Sequence, residues 1–393
     1  MKTFIIPILI LFAVSSCSQP NIVSLESERS LERAIAILDS LYKHYDAGEN
    51  NLLKLYAHKG GYTPDMEIAN DIQTRKYSEL WPYSETLTAI TALLVSTGDR
   101  QYMDLLNNKV IPGLENYFDD KRLPAGYASY VNTAPESNRY YEDNVWIGID
   151  FADIYLKTRD SLYLKKADLA WRFVISGMDE KLQGGIYKRE NDSITKTTCA
   201  SAAGSVLSLK LYESTKDSIY LEYGLMLHDW TRRKLRDRND YLYYDNISVD
   251  GLLAKAKYGY NNGLMIQASV LMYKHTGNDK YLVDAQRLAA ATYEYFFNDF
   301  VTEDGEKIKV FRMGNMWSMA VMMRGYIELY QLDGNRLYLE TFKNNLDYCW
   351  KYMRDDNDGL FVTEWNGGNR RDNKWLLTDA SIMEMYGRMA GIR

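Results

Sequence analysis

Thr276-Gly277-Asn278-Asp279-Lys280-Tyr281-Leu282 decides the fold, because its pattern occurs five times along the 393-residue chain. The other copies are Thr97-Gly98-Asp99-Arg100-Gln101-Tyr102-Met103, Thr158-Arg159-Asp160-Ser161-Leu162-Tyr163-Leu164, Thr215-Lys216-Asp217-Ser218-Ile219-Tyr220-Leu221 and Asp333-Gly334-Asn335-Arg336-Leu337-Tyr338-Leu339. Their tyrosines stand 61, 57, 61 and 57 residues apart. A period of this length, with two helical segments per period, describes a helical hairpin repeated about an axis. The Gly, Asp or Asn of each copy serves as the C-cap of one helix and the N-cap of the next.

The two helices of each hairpin differ in pattern. The one before the turn is apolar nearly all round, as in residues 263–273 and 315–323, and the one after it is amphipathic, as in 163–175. Helices of the first kind are buried and those of the second kind lie outside. Adding a first helix over 30–45 and a last over 376–389 gives six outer and six inner helices. The expected fold is therefore all-α, an (α/α)6 barrel closed by its own termini; an open solenoid would leave the first and last helices unpaired.

The long connections, 46–81, 119–139, 179–197, 234–258, 298–313 and 354–374, each lead from an outer helix to the next inner one and must emerge at one end of the barrel. Loops on a rigid scaffold carry function, so the starts of the inner helices should face the site. One such start reads Tyr140-Tyr141-Glu142-Asp143-Asn144-Val145-Trp146. Adjacent carboxylates repel, and rings on both sides limit solvent screening, so at least one carboxyl should titrate high. An acid kept protonated beside one that stays ionised is the working pair of a glycosidase. The competing reading is a plain first turn, where the helix dipole attracts acids; the position at the loop end favours function.

The same end collects Trp81-Pro82-Tyr83-Ser84-Glu85, Tyr241 to Asp245, Tyr258 to Gly263, Gly314 to Trp317 and Trp365 to Arg370. Rings that stack on sugar faces and amides that read hydroxyls suit a carbohydrate site. The expected substrate contacts are Asp245, Tyr260, Asn261, Trp317 and Trp365, with Tyr141 and Asn144 flanking the acidic pair. The chain holds 33 Tyr and 8 Trp and a formal charge of −6, which leaves no basic footprint for nucleic acid. No His, Asp or Cys cluster has metal-ligand spacing, and Asp355-Asp356-Asn357-Asp358-Gly359 reads as a solvated acidic turn rather than a Ca²⁺ loop. Neither a metal nor a cofactor is expected. None of the four histidines, His44, His58, His228 and His275, opens an inner helix, which disfavours epimerase chemistry by histidine proton transfer.

Residues 1–17 read as a secretory signal, with Lys2 as the n-region and an apolar stretch over 4–14 too short to span a bilayer. Val14-Ser15-Ser16-Cys17 looks like a bacterial lipobox, so Cys17 is the expected lipidation site. The mature protein is then expected on the outer membrane, at its periplasmic face or the cell surface, held by acyl chains alone. Residues 18–27 read as a short tether and 28–393 as one domain, a monomer. Cys199 and Cys349 sit in apolar helical patterns and form no disulfide framework.

Over essentially its whole mature length the chain resembles glycoside hydrolase family 76, the α-1,6-mannanases. That family carries Tyr-Tyr-Asp-Asp-Asn before an aromatic-rich helix, matched here by Tyr140, Tyr141, Asp143, Asn144 and Trp146. Gly184-Gly185-Ile186-Tyr187 with Ser201 is similar to the family's Gly-rich turn, and Tyr260-Asn261-Asn262-Gly263 to its Tyr-Asn-Gln-Gly. The resemblance implies retaining, endo-acting hydrolysis of an α-mannan backbone, with Glu142 attacking the anomeric carbon and Asp143 serving as acid and then base. Consecutive Cα atoms lie about 3.8 Å apart, and diverging side chains allow carboxyl groups ~5 Å apart, as retention requires. Glu142 stands where the family has Asp, and the extra methylene shifts the nucleophile by roughly 1.5 Å where about 1 Å can cost a hundredfold. The alternative expectation is a lipid-anchored protein that binds α-mannan without cutting it. Asn262 for Gln is the smaller departure, expected to alter a hydrogen bond to a hydroxyl.

Overall fold

The computed structural model describes residues 22–58, 76–312, 315–363 and 374–392. Six inner helices form a ring: α2 (Leu80–Thr97), α4 (Tyr141–Thr158), α6 (Thr198–Thr215), α8 (Gly259–Thr276), α10 (Met316–Asp333) and α12 (Leu376–Met389). Each packs on the next, and α12 returns to α2, so the ring is closed. Outside stand α1 (Ile22–Tyr45), α3 (Arg100–Leu105), α5 (Ser161–Ile175), α7 (Ser218–Leu235), α9 (Asp279–Phe296) and α11 (Leu337–Tyr348). The first helix pairs with the last, α1 against α12, as the (α/α)6 reading requires and an open solenoid does not.

The repeated turns work as their residue types dictate. Asp99, Asp160, Asp217 and Asn278 each accept the backbone N–H two residues on, at 3.0, 2.9, 3.1 and 3.2 Å, which satisfies an otherwise orphaned helix donor. The preceding helix ends in a left-handed residue, glycine at Gly98, Gly277 and Gly334 but Arg159 (φ 63°) and Lys216 (φ 62°) at the other two turns. Inner helices are buried almost throughout, with the core running through Leu87, Phe151, Leu207, Ile266, Met322 and Ile382.

One boundary differs from the sequence reading. The stretch taken as a tether over 18–27 is helical from Ile22. Ser27 Oγ donates to the Ala390 carbonyl and Lys343 lies 3.8 Å from Glu26, so polar contacts tie this turn to the C-terminal elements. Cys17 and Trp365 lie outside the described residues.

Short strands order the connections at the end where the inner helices begin. β1 (Phe118–Asp119) pairs with β2 (Gly126–Tyr127). β3 (Thr195–Thr197), β4 (Asn246–Ser248) and β5 (Leu253–Ala254) make an antiparallel sheet that joins the loops before α6 and α8. β6 (Phe297–Val301) and β7 (Lys307–Phe311) form a hairpin before α10.

Candidate active site

The fourth residue of four inner helices anchors a connection. Asn144 Oδ1 accepts Tyr127 N–H at 2.7 Å, Ser201 Oγ accepts Ile186 N–H at 3.0 Å, Asn262 Oδ1 accepts Tyr243 N–H at 2.9 Å and Asp379 Oδ1 accepts Phe361 N–H at 2.9 Å. The asparagine amides also donate back, Asn144 to the carbonyls of Tyr127 and Tyr140 at 2.9 Å and Asn262 to that of Tyr258 at 2.7 Å. Asn144 thus spends both amide donors and its oxygen on backbone, and Asn262 one donor and its oxygen. Asn144 and Asn262 are 0% exposed, so neither touches a substrate. The expectations of a substrate contact at Asn144 and of a hydroxyl contact at Asn262 are corrected accordingly: both are loop anchors.

With its loop pinned, α4 presents Glu142 and Asp143 in its first turn. Tyr140 is the N-cap without a side-chain bond, and Tyr141 N–H donates to the Lys188 carbonyl at 3.3 Å. Tyr141 turns away from the pair, its ring 5.0 Å from that of Phe173 and packed against the site of a Cβ at Gly177. Its expected contact with substrate is therefore replaced by packing between α4 and α5. A side-chain contact cannot be told from core packing by the motif alone, since both favour an aromatic residue.

The two acids occupy different environments. Asp143 is 8% exposed, and burial, then the charges of Glu142 and Glu79, hold its carboxyl well above the usual 3.8. Glu142 is half-buried, and burial raises it to about 7. Lys188 pulls that value down, Asp245 pushes it up, and a hydrogen bond from the Cys199 thiol favours the ionised form. One proton is thus held chiefly on Asp143, while Glu142 is the group that ionises first. Glu79, Lys188 and Cys199 were not among the expected site residues. Glu79 immediately precedes α2 as its N-cap, and Lys188 follows the Gly184-Gly185 turn, so their positions at the loop end were available as signals; Cys199 reads as an apolar core position.

Asp245 reaches this group through the sheet. Its carbonyl accepts Thr198 N–H at 2.9 Å at the start of α6, which brings its carboxylate within the influence of Glu142. Asn261 Nδ2 donates to Asp245 Oδ1 at 3.2 Å, and Tyr260 OH approaches the same oxygen at 3.5 Å. Asn261 is fully buried, so the direct contact expected of it becomes an indirect one: it orients Asp245. Asp245 and Tyr260 are half-buried beside the pair.

Beneath them lies a continuous aromatic floor drawn from five inner helices or their caps. Trp317 meets Trp81 at 5.2 Å and Trp146 at 5.4 Å, both edge-on, and Tyr260 at 5.1 Å with the rings tilted by 47°, while Trp81 also meets Trp375 edge-on at 5.7 Å. Trp317, an expected substrate contact, is packed among these three rings and is 6% exposed. Tyr258 extends the floor outward, stacked on Tyr260 with the rings within 8° of parallel and 37% exposed. A wall of rings beside an acid pair of unequal proton affinity has the composition of a sugar site.

Comparison with known proteins agrees with that chemistry. The family model Glycosyl hydrolase family 76 matches residues 40–310. Among solved structures, a glycoside hydrolase family 76 mannosidase from Bacteroides thetaiotaomicron is 26% identical, with a TM-score of 0.82 over 92% of this chain and 98% of that one. An α-mannanase of the same family from Bacteroides thetaiotaomicron is 25% identical, with a TM-score of 0.79 over 94% of this chain and 98% of that one. A Schizosaccharomyces pombe protein, named for an inferred mannan endo-1,6-alpha-mannosidase activity, is 21% identical over 235 residues, 55% of this chain. The chain matches 50% of that relative's length. Since the family match runs from the first outer helix through the acidic pair to β7, well over half the sequence, the chain belongs to glycosyl hydrolase family 76, a family of glycosidases.

Proposed function

We propose that this protein is a retaining endo-α-1,6-mannanase acting on the α-mannan backbone, held on a bacterial outer membrane by lipid on Cys17. The single observation that carries the reading is the split between the two acids, a buried Asp143 that keeps its proton beside a less buried Glu142 that gives its proton up. In the first step Glu142 forms a bond to the anomeric carbon as the glycosidic bond breaks, and the Asp143 proton passes to the departing oxygen. Asp143, now ionised, takes a proton from water, whose oxygen attacks the same carbon and releases Glu142. Tyr260, Trp317 and Trp81 offer ring faces and edges to the sugar, and Asp245 offers an acceptor to its hydroxyls. The names of the relatives, a mannosidase, an α-mannanase and an endo-1,6-alpha-mannosidase, support the choice of mannan.

No helix among the described residues is long and apolar enough to cross a membrane. The anchor reading rests on the lipobox-like sequence and is tested by palmitate incorporation, which Cys17→Ala should abolish.

A second reading, capture of mannan without cleavage, is favoured by the longer Glu142 side chain. The experiment that separates the two uses protein lacking residues 1–17 and debranched α-1,6-mannan. Release of oligosaccharides by the wild type, and not by Glu142→Gln or Asp143→Asn, supports the mannanase. Binding of polymer with no release, and a gain of cleavage in Glu142→Asp, would establish the capture protein.

A further inference from the structure

The first helix enters the barrel at the end opposite the acid pair. Ser27 Oγ, in the second turn of α1, donates to the carbonyl of Ala390, the C-cap of α12. At the far end of α1, Tyr45 OH donates to Asp379 Oδ2 in the first turn of α12 at 2.6 Å. So α1 starts at the turn end, where the inner helices finish, and runs to the site end, where they begin. The helix ends lie together there: Lys157 of α4 donates to the Val95 carbonyl of α2 at 2.8 Å, and a Cβ at Gly391, just past α12, would stand 2.7 Å from Ser96 Oγ of α2.

That placement limits how an anchored protein can stand. From Cys17 to Ile22 the chain takes five residue steps, which reach at most about 18 Å however they run. The 24 residues of α1 rise ~36 Å from the turn end to the site end. An anchor on Cys17 is therefore too short to pass along α1 and bring the site end down to a bilayer. On α4 the helix from Asp143 to Thr158 spans roughly 22 Å, which sets the acid pair well above the turn end.

The turn end also carries exposed aliphatic side chains. Leu162, Ile219 and Leu337 are 50, 39 and 49% exposed and stand at the same place in three repeats, next to the repeat tyrosine. They open α5, α7 and α11, and Leu25, 49% exposed, lies in the first turn of α1. Side chains on a helix lean toward its N-terminus, and all four helices start at the turn end, so these aliphatics lean outward from it. Asp160, Asp217 and Asn335 accept the N–H groups of Leu162, Ile219 and Leu337 at 2.9, 3.1 and 3.1 Å, which fixes their backbone. Exposed Arg159, Lys216 and Arg336 stand beside exposed Asp160 and Asp217, so both signs of charge are present. Exposure alone does not choose this end, because the long connections expose Leu123, Ile194, Leu252 and Val301 as well. The position of α1 does choose it.

We infer that the turn end of the barrel rests on the membrane surface that holds the lipid, with Leu25, Leu162, Ile219 and Leu337 against it and the acid pair turned to the aqueous side. Polymer is then taken from solution rather than from the surface beneath the protein. The inference rests on the reading of Cys17 as the lipidated residue.

The test uses the acylated protein in vesicles of phosphatidylethanolamine and phosphatidylglycerol. Cys199 and Cys349 are 2% and 0% exposed, so a thiol-reactive fluorophore reports on an introduced cysteine. Separate labels at Ile219→Cys and Leu252→Cys are read against a lipid whose headgroup carries a quenching spin label. The expected result is loss of fluorescence from the Ile219→Cys label with the Leu252→Cys label undimmed. Equal quenching of both, stronger quenching at Leu252→Cys, or quenching of neither, in protein shown to carry palmitate, would overturn the orientation alone. A wild type that carries no palmitate fails the anchor reading, and the inference with it.

Discussion

Two regions of this barrel bury carboxylates on its inner helices, and only one of them is suited to chemistry. In the interior, Glu85 of α2, Asp150 of α4 and Glu384 of α12 surround Arg324 of α10. Arg324 binds Glu384 through two bonds of 2.7 and 2.8 Å and lies 3.6 Å from Glu85, and Arg388 also reaches Glu384. At the site end, Glu142, Asp143, Asp245 and Glu79 converge, with Lys188 as the cation acting on Glu142. The interior acids are almost fully buried, whereas Glu142 and Asp245 stay partly open. Burial of an acid therefore does not mark function by itself. What marks it is a raised proton affinity at a place that a substrate can reach, on the first turns of the inner helices.

The regions are also mechanically linked. The Arg324 guanidinium lies 5.3 Å from the Trp146 ring centre, and Trp146 supports Trp317, so the ion cluster underlies the aromatic floor. Three carboxylates round one arginine carry excess negative charge. Arg324 and Arg388 hold Glu384 well below its usual range, while burial and the charge of Glu384 hold Glu85 well above it. Of the Glu85–Glu384 pair, Glu85 is therefore the member that holds a proton.

The sharpest way to break this contrast is at Asp143. Asp143→Asn removes the proton donor, and activity on α-1,6-mannan should fall by roughly 10² to 10⁴-fold with the melting temperature little changed. In the interior the effect should invert: Glu384→Ala removes the bidentate partner of Arg324, leaving only Glu85 and Asp150 beside it, and should cost about 3 kcal/mol of stability in denaturant titration. Glu142→Asp comes next, since a displacement of about 1 Å in a site arranged for glutamate should lower kcat roughly a hundredfold. A gain of activity there would instead mark the site as one that has lost its aspartate.

The pH dependence of stability sharpens the comparison from the interior side. Burial, only partly offset by Arg324 and by a hydrogen bond from Thr88 Oγ1 at 2.6 Å, raises Asp150 to about 7 from the usual 3.8. A carboxyl raised on folding contributes stability that is complete below its unfolded value and lost as pH rises through its folded value. Melting temperature should thus fall between pH 4 and 7, and Asp150→Asn should flatten part of that decline. The smallest effect expected is at a repeat turn. Arg159 has φ 63°, so Arg159→Gly should relieve about 1 kcal/mol of left-handed strain and raise the melting temperature without touching activity.

The fold was legible because repetition amplifies weak signals: each turn of the Thr276–Leu282 type states a cap and a helix start, and five of them state a ring. The acidic pair was legible for a different reason, as the placement of two acids among rings at a loop end has few structural uses. Residues beside the pair were harder. Asn144, Asn262 and Tyr141 carry the same residue types as sugar contacts but are turned to backbone or to Phe173. Asp245 was among the expected contacts, but only the pairing of strands and loops brings it, Lys188 and Cys199 to Glu142 and Glu79 to Asp143, and those approaches are long-range in sequence. The interior cluster was hidden for the same cause, since Glu85, Asp150, Arg324 and Glu384 lie on four separate helices.

The most direct test of the central claim is the anomeric configuration of the first product released from α-1,6-mannotetraose, followed by ¹H NMR before mutarotation. A working Glu142–Asp143 pair predicts that the new reducing end appears first as the α-anomer, because two inversions at the same carbon restore the configuration. First appearance of the β-anomer, or no product from a protein that binds the tetrasaccharide, would contradict it.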